Sequence, residues 1–189
     1  IENIFSKISN YKLSPFNAIN TSRFHEGILL SISCKKIDKP IQLINFSLSE
    51  KKDQAHYPRL LVKTEKQSSF SLINHFISSN SNEHLINSVV EIDISQNSKI
   101  NYNVIQQGNI YSKSIHSTGI NQGSNSKLNY NSFTLDGKFT RNDIEINLKN
   151  NSAEINLQGL FLGNQNNIID YHTIINHKSP NCSSNEKFQ

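Results

Sequence analysis

The sequence predicts an all-β protein built as a right-handed parallel β-helix, a solenoid whose coils are about 28 residues long. Three observations predict it: similar segments recur at a near-constant spacing, each alternates apolar and polar residues, and a second alternating run precedes the corner between them. The segments are QSSFSLINHF from Gln67, NSKINYNVIQ from Asn97, NSKLNYNSFT from Asn125 and SAEINLQGLF from Ser152, with starts 30, 28 and 27 residues apart. Period-two alternation is a strand signature, because successive side chains point to opposite faces. A 3.6-residue period is missing, and Ile and Asn stand where helical repeats would carry Ala, Leu and Glu. Propeller blades run longer, at about 40 residues or more.

Taken in order, residues 1–14 (IENIFSKISNYKLS) place apolar side chains at Ile1, Ile4, Phe5 and Ile8. That spacing predicts a short amphipathic helix capping the first coil, and residues 15–189 then form the β-helix core. In ILLSISCKK, Leu30, Ile32 and Cys34 share one face, which makes Cys34 a buried, inert thiol. Leu60 to Val62 is a strand, as are the runs through Val90, Ile92 and Ile94 and through Ile144, Ile146 and Leu148. The repeats themselves turn Ile100, Tyr102 and Val104 inward, then Leu128 and Tyr130, then Ile155 and Leu157. Each coil has an apolar face that it buries only by stacking on a neighbour about 4.8 Å away. An unpaired parallel edge is an aggregation hazard, so the natural chain is expected to continue past Gln189. With no methionine in the sequence, a fragment or processed chain is expected.

Composition excludes several classes. The 189 residues carry 19 basic and 15 acidic groups, a net +4, with the lysines scattered rather than striped. A nucleic-acid partner is not expected. No apolar run approaches the ~18 residues of a membrane span, and no secretory signal opens the chain. Two distant cysteines, Cys34 and Cys182, fit a reducing compartment better than a disulfide scaffold. The abundance of Asn, Ile, Ser and Lys follows AT-rich codons, so asparagine content carries no functional weight.

His172, His177 and Cys182 are the compact set of soft ligands and the candidate metal residues. Their H-x4-H-x4-C spacing matches no recognised site, and residues five apart on a strand point to opposite faces. Pro180 sets a corner before Cys182. Two readings of Cys182 stand, a small packed hydrophobe or a transient metal or sulfur group. His75 and His116 are expected on the outside or at coil edges, and His56 solvated in the loop KKDQAHYP. Glu91, Asp93, Asp143 and Glu145 alternate outward and are expected to be solvated, with Glu91 and Glu145 two coils apart. No GxSxG, HExxH or glycine-rich phosphate cradle occurs, and no catalytic residue is assigned. Parallel β-helices also include polysaccharide lyases and hydrolases. That alternative needs paired acids within about 5–10 Å.

Several motifs together resemble the SufB/SufD family of iron–sulfur cluster assembly proteins. PFNAINTSRFHEG (residues 15–27) is similar to the family's N-A-L-N-T opening. Lys39-Pro40-Ile41, Pro58-Arg59 before Leu60–Val62, Arg141-Asn142-Asp143 and Gly159–Leu162 resemble its coil strands. DYHTIINHKSPNCSS, residues 170–184, is similar to the SufD-type pattern D-x-H-T-x-x-x-H-x-x-P-x-C-x-S. The resemblance implies a β-helical core truncated at both ends, belonging to a non-enzymatic scaffold subunit. It implies a SufB-like paralogue and a SufC-like ABC ATPase as partners, with no membrane or nucleic acid. It also implies a transient Fe–S cluster and a flavin in the parent complex rather than a cofactor held by this chain, and a cytoplasmic or plastid-stroma location. The cluster-related Cys and His and the SufC-binding region would lie beyond Gln189.

Overall fold

The computed structural model describes residues 5–12, 14–33, 36–48, 51–79, 82–164 and 166–189. In chain order the elements are helix α1 (Pro15–Arg23) and strands β1 (Ile28–Ile32), β2 (Ile41–Ser47), β3 (Gln54–His56), β4 (Arg59–Thr64), β5 (Ser69–Ser78), β6 (His84–Ile94), β7 (Lys99–Gln107), β8 (Ser112–Gln122), β9 (Lys127–Asp136), β10 (Phe139–Leu148), β11 (Glu154–Phe161), β12 (Ile168–His177) and β13 (Ser183–Phe188). They wind into a β-solenoid of about five turns. One sheet stacks β1-β4-β6-β8-β10-β12, with β3 beside β6, and the other stacks β2-β5-β7-β9-β11-β13. The pairings are parallel throughout, as in β6 with β8 and β7 with β9.

The corners explain the repeat. Gln67, Asn97, Asn125 and Ser152 have φ of 64°, 59°, 54° and 59°, and Asn181 continues the series at 58°. Each repeated segment therefore opens on a left-handed residue that turns the chain from one sheet into the other, a conformation asparagine tolerates better than most. A small side chain follows. Ser68 Oγ donates to the carbonyl of Glu65 and Ser126 Oγ to that of Gly123, both at 2.8 Å. These bonds satisfy carbonyls that the turn leaves without a ladder partner.

Register converts alternation into columns. Phe70, Ile100, Leu128 and Ile155 stack on the inner side of the second sheet, followed by Leu72, Tyr102, Tyr130 and Leu157. Facing them are Val62, Ile92, Ile120 and Ile146 of the first sheet. All twelve are buried in one continuous core, and each aliphatic one contributes about 1.5–3 kcal/mol of burial. The rings of Tyr102 and Tyr130 lie 5.0 Å apart, and burial pushes both phenols well above their ordinary range.

The N-terminus differs from the expected capping helix. Ile1, Ile4 and Leu13 lie outside the described residues; residues 5–12 form turns and a bend, and the helix comes later, at Pro15–Arg23. Ser14 caps it by accepting the Asn17 N–H, and Pro15 occupies the first turn, where no N–H is needed. The segment lies along the flank of the first sheet, with Ile8 and Phe5 packed on Leu61. Polar pins hold the helix. Asn20 Nδ2 donates to the carbonyls of Pro58 and Asn87, and Asn87 Nδ2 donates to that of Phe16.

This strap overturns the solvated reading of Glu91. The residue is outward by alternation, yet fully buried, because the strap lies over it. Its Oε1 accepts the N–H groups of Ile8 and Ser9 at 3.0 Å, and its Oε2 accepts that of Ser6 at 2.9 Å and Arg59 Nη2 at 2.6 Å. Arg59 is also held by Asn20, Thr21 and the ring of Phe5. Gly119 makes the close approach possible, since a Cβ there would meet Ser9 Oγ at 2.5 Å. Asp93, Asp143 and Glu145 do face outward and are half-buried.

Candidate functional site

At the last coil several inner columns end on polar side chains, while Tyr171, Ile175 and Phe188 still pack on the core. In the first sheet Val90, Thr118 and Ile144 are followed by Thr173, while Ile94, Gln122 and Leu148 are followed by His177. In the second sheet Leu128 and Ile155 lead to Ser184, and Tyr130 and Leu157 to Glu186. At the corner, Ser68, Ser98, Ser126 and Ala153 are buried, and Cys182 takes the next position. One coil thus turns a thiol, an imidazole, a carboxylate and two hydroxyls toward the solenoid axis.

These groups pair across the coil. His177 Nε2 lies 2.9 Å from Ser184 Oγ, and Thr173 Oγ1 donates to Glu186 Oε1 at 2.7 Å. The Cys182 thiol is half-buried, packs against the edge of the core and donates to the carbonyl of Asn150 at 3.3 Å. It is a free thiol; Cys34 lies outside the described residues.

His172 is not part of this set. It projects to the outer side of β12, where Nδ1 lies 3.6 Å from Asp143 Oδ1. Arg141 binds Asp143 through Nε and Nη2 and Asp170 through Nη1. His172 and His177 therefore lie on opposite sides of one strand, as their odd separation requires. Among the described residues no three His, Cys, Asp or Glu side chains come together to hold a metal ion.

The other histidines divide. His75 is outward and half-buried, with Nε2 3.2 Å from Gln107 Oε1. His56 is not loop-solvated: it ends β3, half-buried, its ring 6.4 Å from that of His84, and burial and then the His84 charge lower its pKa. His116 corrects the outward reading. It lies in the inner column between Ser88 and Asn142, 4% exposed, with Nδ1 2.6 Å from Ser88 Oγ and its ring 4.6 Å from Phe76. Burial pulls its pKa down to about 3. Its neighbour Ile115 is outward but is also buried, so the apolar residue suggested the wrong face.

Sequence reasoning also missed an interior polar network around this end of the coils. Thr134 Oγ1 donates to Gln106 Oε1 at 2.6 Å, and Asn142 Nδ2 donates to the same oxygen at 3.2 Å. The Tyr171 hydroxyl lies 2.9 Å from Ser132 Oγ and 2.7 Å from Thr134 Oγ1. The only sequence signal was a break in apolar alternation after Val104 and Tyr130.

The repeating parallel strands with small residues at their corners define a β-solenoid, and comparison with known families gives it a lineage. The chain belongs to the SufBD core-domain family of the SUF system of FeS cluster assembly, which matches residues 46–189, about three quarters of its length. A separate comparison with curated proteins found no match.

Proposed function

We propose that the chain is the core of a SufD-like scaffold subunit for Fe–S cluster assembly, pairing with a SufB-like paralogue and a SufC-like ABC ATPase. The observation that carries this reading is the family match over residues 46–189 together with the Asp170–Ser184 motif. That motif supplies the Thr173, His177, Cys182 and Ser184 positions of the last coil. In this reading the subunit is not itself an enzyme. ATP hydrolysis belongs to the ATPase, and iron and sulfide are the cargo of the assembled complex. The role of this chain is rigid spacing: stacked coils hold one set of side chains at a fixed distance and angle from the next. No residue here is assigned to flavin, and a reducing compartment, cytosol or plastid stroma, suits the free thiol.

The test is to tag the full-length parent protein in its own cells, purify it natively and identify what co-elutes, with iron and acid-labile sulfide assays on the same fractions. Co-elution of an ABC-type ATPase and a second β-solenoid paralogue is expected. A lone protein, free of both partners, overturns the reading.

A further inference from the structure

The outer face of the second sheet carries an uncharged, largely apolar block. Register lines up Ile44, His75, Ile105, Phe133 and Leu160 on five successive strands, β2, β5, β7, β9 and β11. Alternation turns all five away from the core. Phe46 pairs with Ile77 beside this column, and Leu48, Leu135 and Leu162 are exposed at its margin. The stretches 42–48, 73–77, 103–107, 131–135 and 158–162 contain no Asp, Glu, Lys or Arg. This face takes no part in the proposed scaffold role.

The first sheet shows how the chain treats an outward apolar residue. There Leu61 is 5% exposed, because the strap packs Ile8 on it. On the second sheet Ile44, Phe46 and Leu48 remain 57–59% exposed. A contiguous apolar patch of this extent marks an interaction surface.

Charge and area choose the occupant. A charged partner segment would find no counter-charge on the block, whereas a second copy presents the same uncharged column. Five strands about 4.8 Å apart, with about seven residues of about 3.3 Å each, span roughly 24 Å by 23 Å, or about 550 Å². Two copies thus bury about 1,100 Å², just above the ~1,000 Å² that a specific interface needs. A two-fold axis lying in the interface along β7 makes the pairing isologous. It sets Ile105 against Ile105, Ile44 against Leu160 and His75 against Phe133. Sheets paired in this way pack about 10 Å apart with their strands within about 30° of each other.

We infer that the outer face of the second sheet binds a second copy of this chain, sheet on sheet about a two-fold axis.

The experiment is sedimentation equilibrium of the 189-residue chain. A monomer–dimer equilibrium with Kd of about 10–100 μM is expected, the weak end for an interface of this size. Ile105→Lys brings two like charges together at the axis and weakens the dimer at least ~100-fold. Ile44→Lys and Leu160→Glu each weaken it about tenfold or more. The chain carrying both substitutions recovers to within about threefold of the unsubstituted chain, because each lysine then faces a glutamate of the other copy. An unchanged circular dichroism spectrum in each variant separates lost pairing from lost folding. A chain still monomeric at ~500 μM, association that survives Ile105→Lys undiminished, or no recovery in the double variant overturns the inference.

Discussion

Replacing Glu91 by Gln tests how the strap is held. The glutamate offers four acceptor contacts: Oε1 takes the Ile8 and Ser9 N–H groups, and Oε2 takes the Ser6 N–H and Arg59 Nη2. In glutamine one oxygen remains for Ile8 and Ser9, but the other position becomes an NH2 that faces two donors. The substitution therefore deletes two hydrogen bonds to a charged group, about 1.5–3 kcal/mol each. It also leaves the Arg59 guanidinium, itself only 2% exposed, without its counter-charge. Breaking a buried pair by removing one partner costs about 3–5 kcal/mol, so the two routes agree. Hydrogen exchange at the Ser6, Ile8 and Ser9 amides is the assay that reads the strap locally, and urea unfolding reads the whole solenoid. Expected is loss of protection at those three amides with the core strands β7 and β9 still protected. The double variant Arg59→Met, Glu91→Gln is expected to recover at least ~2 kcal/mol, because it no longer buries an unpaired cation. A single-variant cost under ~1 kcal/mol with protection intact refutes the reasoning.

Three further outcomes follow from the same geometry. Ile100→Asp or Leu128→Asp puts an unpaired carboxylate among buried side chains and costs roughly 4 kcal/mol or more, whereas Lys99→Asp on the exposed face stays within about 0.5 kcal/mol; equal melts for the two classes contradict the inner columns. Burial lowers the His116 pKa to about 3, so below its ordinary value near 6.5 the unfolded chain binds a proton that the folded one refuses. Stability associated with this residue is thus present above about pH 6.5 and lost as pH falls toward 3, by up to ~1.4 kcal/mol per pH unit, and the difference between wild type and His116→Asn in urea midpoints from pH 4 to 8 measures it. Gly119→Ala pushes a Cβ into Ser9 Oγ and Ile8 Cγ2 and is expected to cost about 1–3 kcal/mol, seen first as faster exchange at Ser9.

The inner columns and corners were legible because they repeat. Gln67, Asn97, Asn125 and Ser152 each mark a left-handed corner, and period-two alternation gave the side on which Ile100, Tyr102 and Leu128 lie. Alternation also separated His172 from His177, since an odd separation on one strand sends them to opposite faces. What it does not carry is what lies over a face. Glu91 points outward as its position requires, but a segment 82–85 residues away in sequence covers it. Ile115 shows the converse, an outward apolar residue that drew its inward neighbour His116 to the wrong side. The polar interior around Gln106, Thr134 and Asn142 was hidden for a third reason. Those side chains satisfy one another across coils 28 and 36 residues apart, and such a match is a property of register rather than of local pattern. The last coil combines both cases: its strand period was readable, while the meeting of Thr173 with Glu186 and of His177 with Ser184 depends on how β12 and β13 close.

The most direct test of the scaffold account is to deplete the full-length protein in its own cells and measure Fe–S enzyme activity, aconitase for example, against the abundance of the same polypeptide. The account predicts that activity and bound iron fall while the polypeptide level holds, and that re-expression of the protein restores both. Unchanged activity and iron after complete depletion would contradict it.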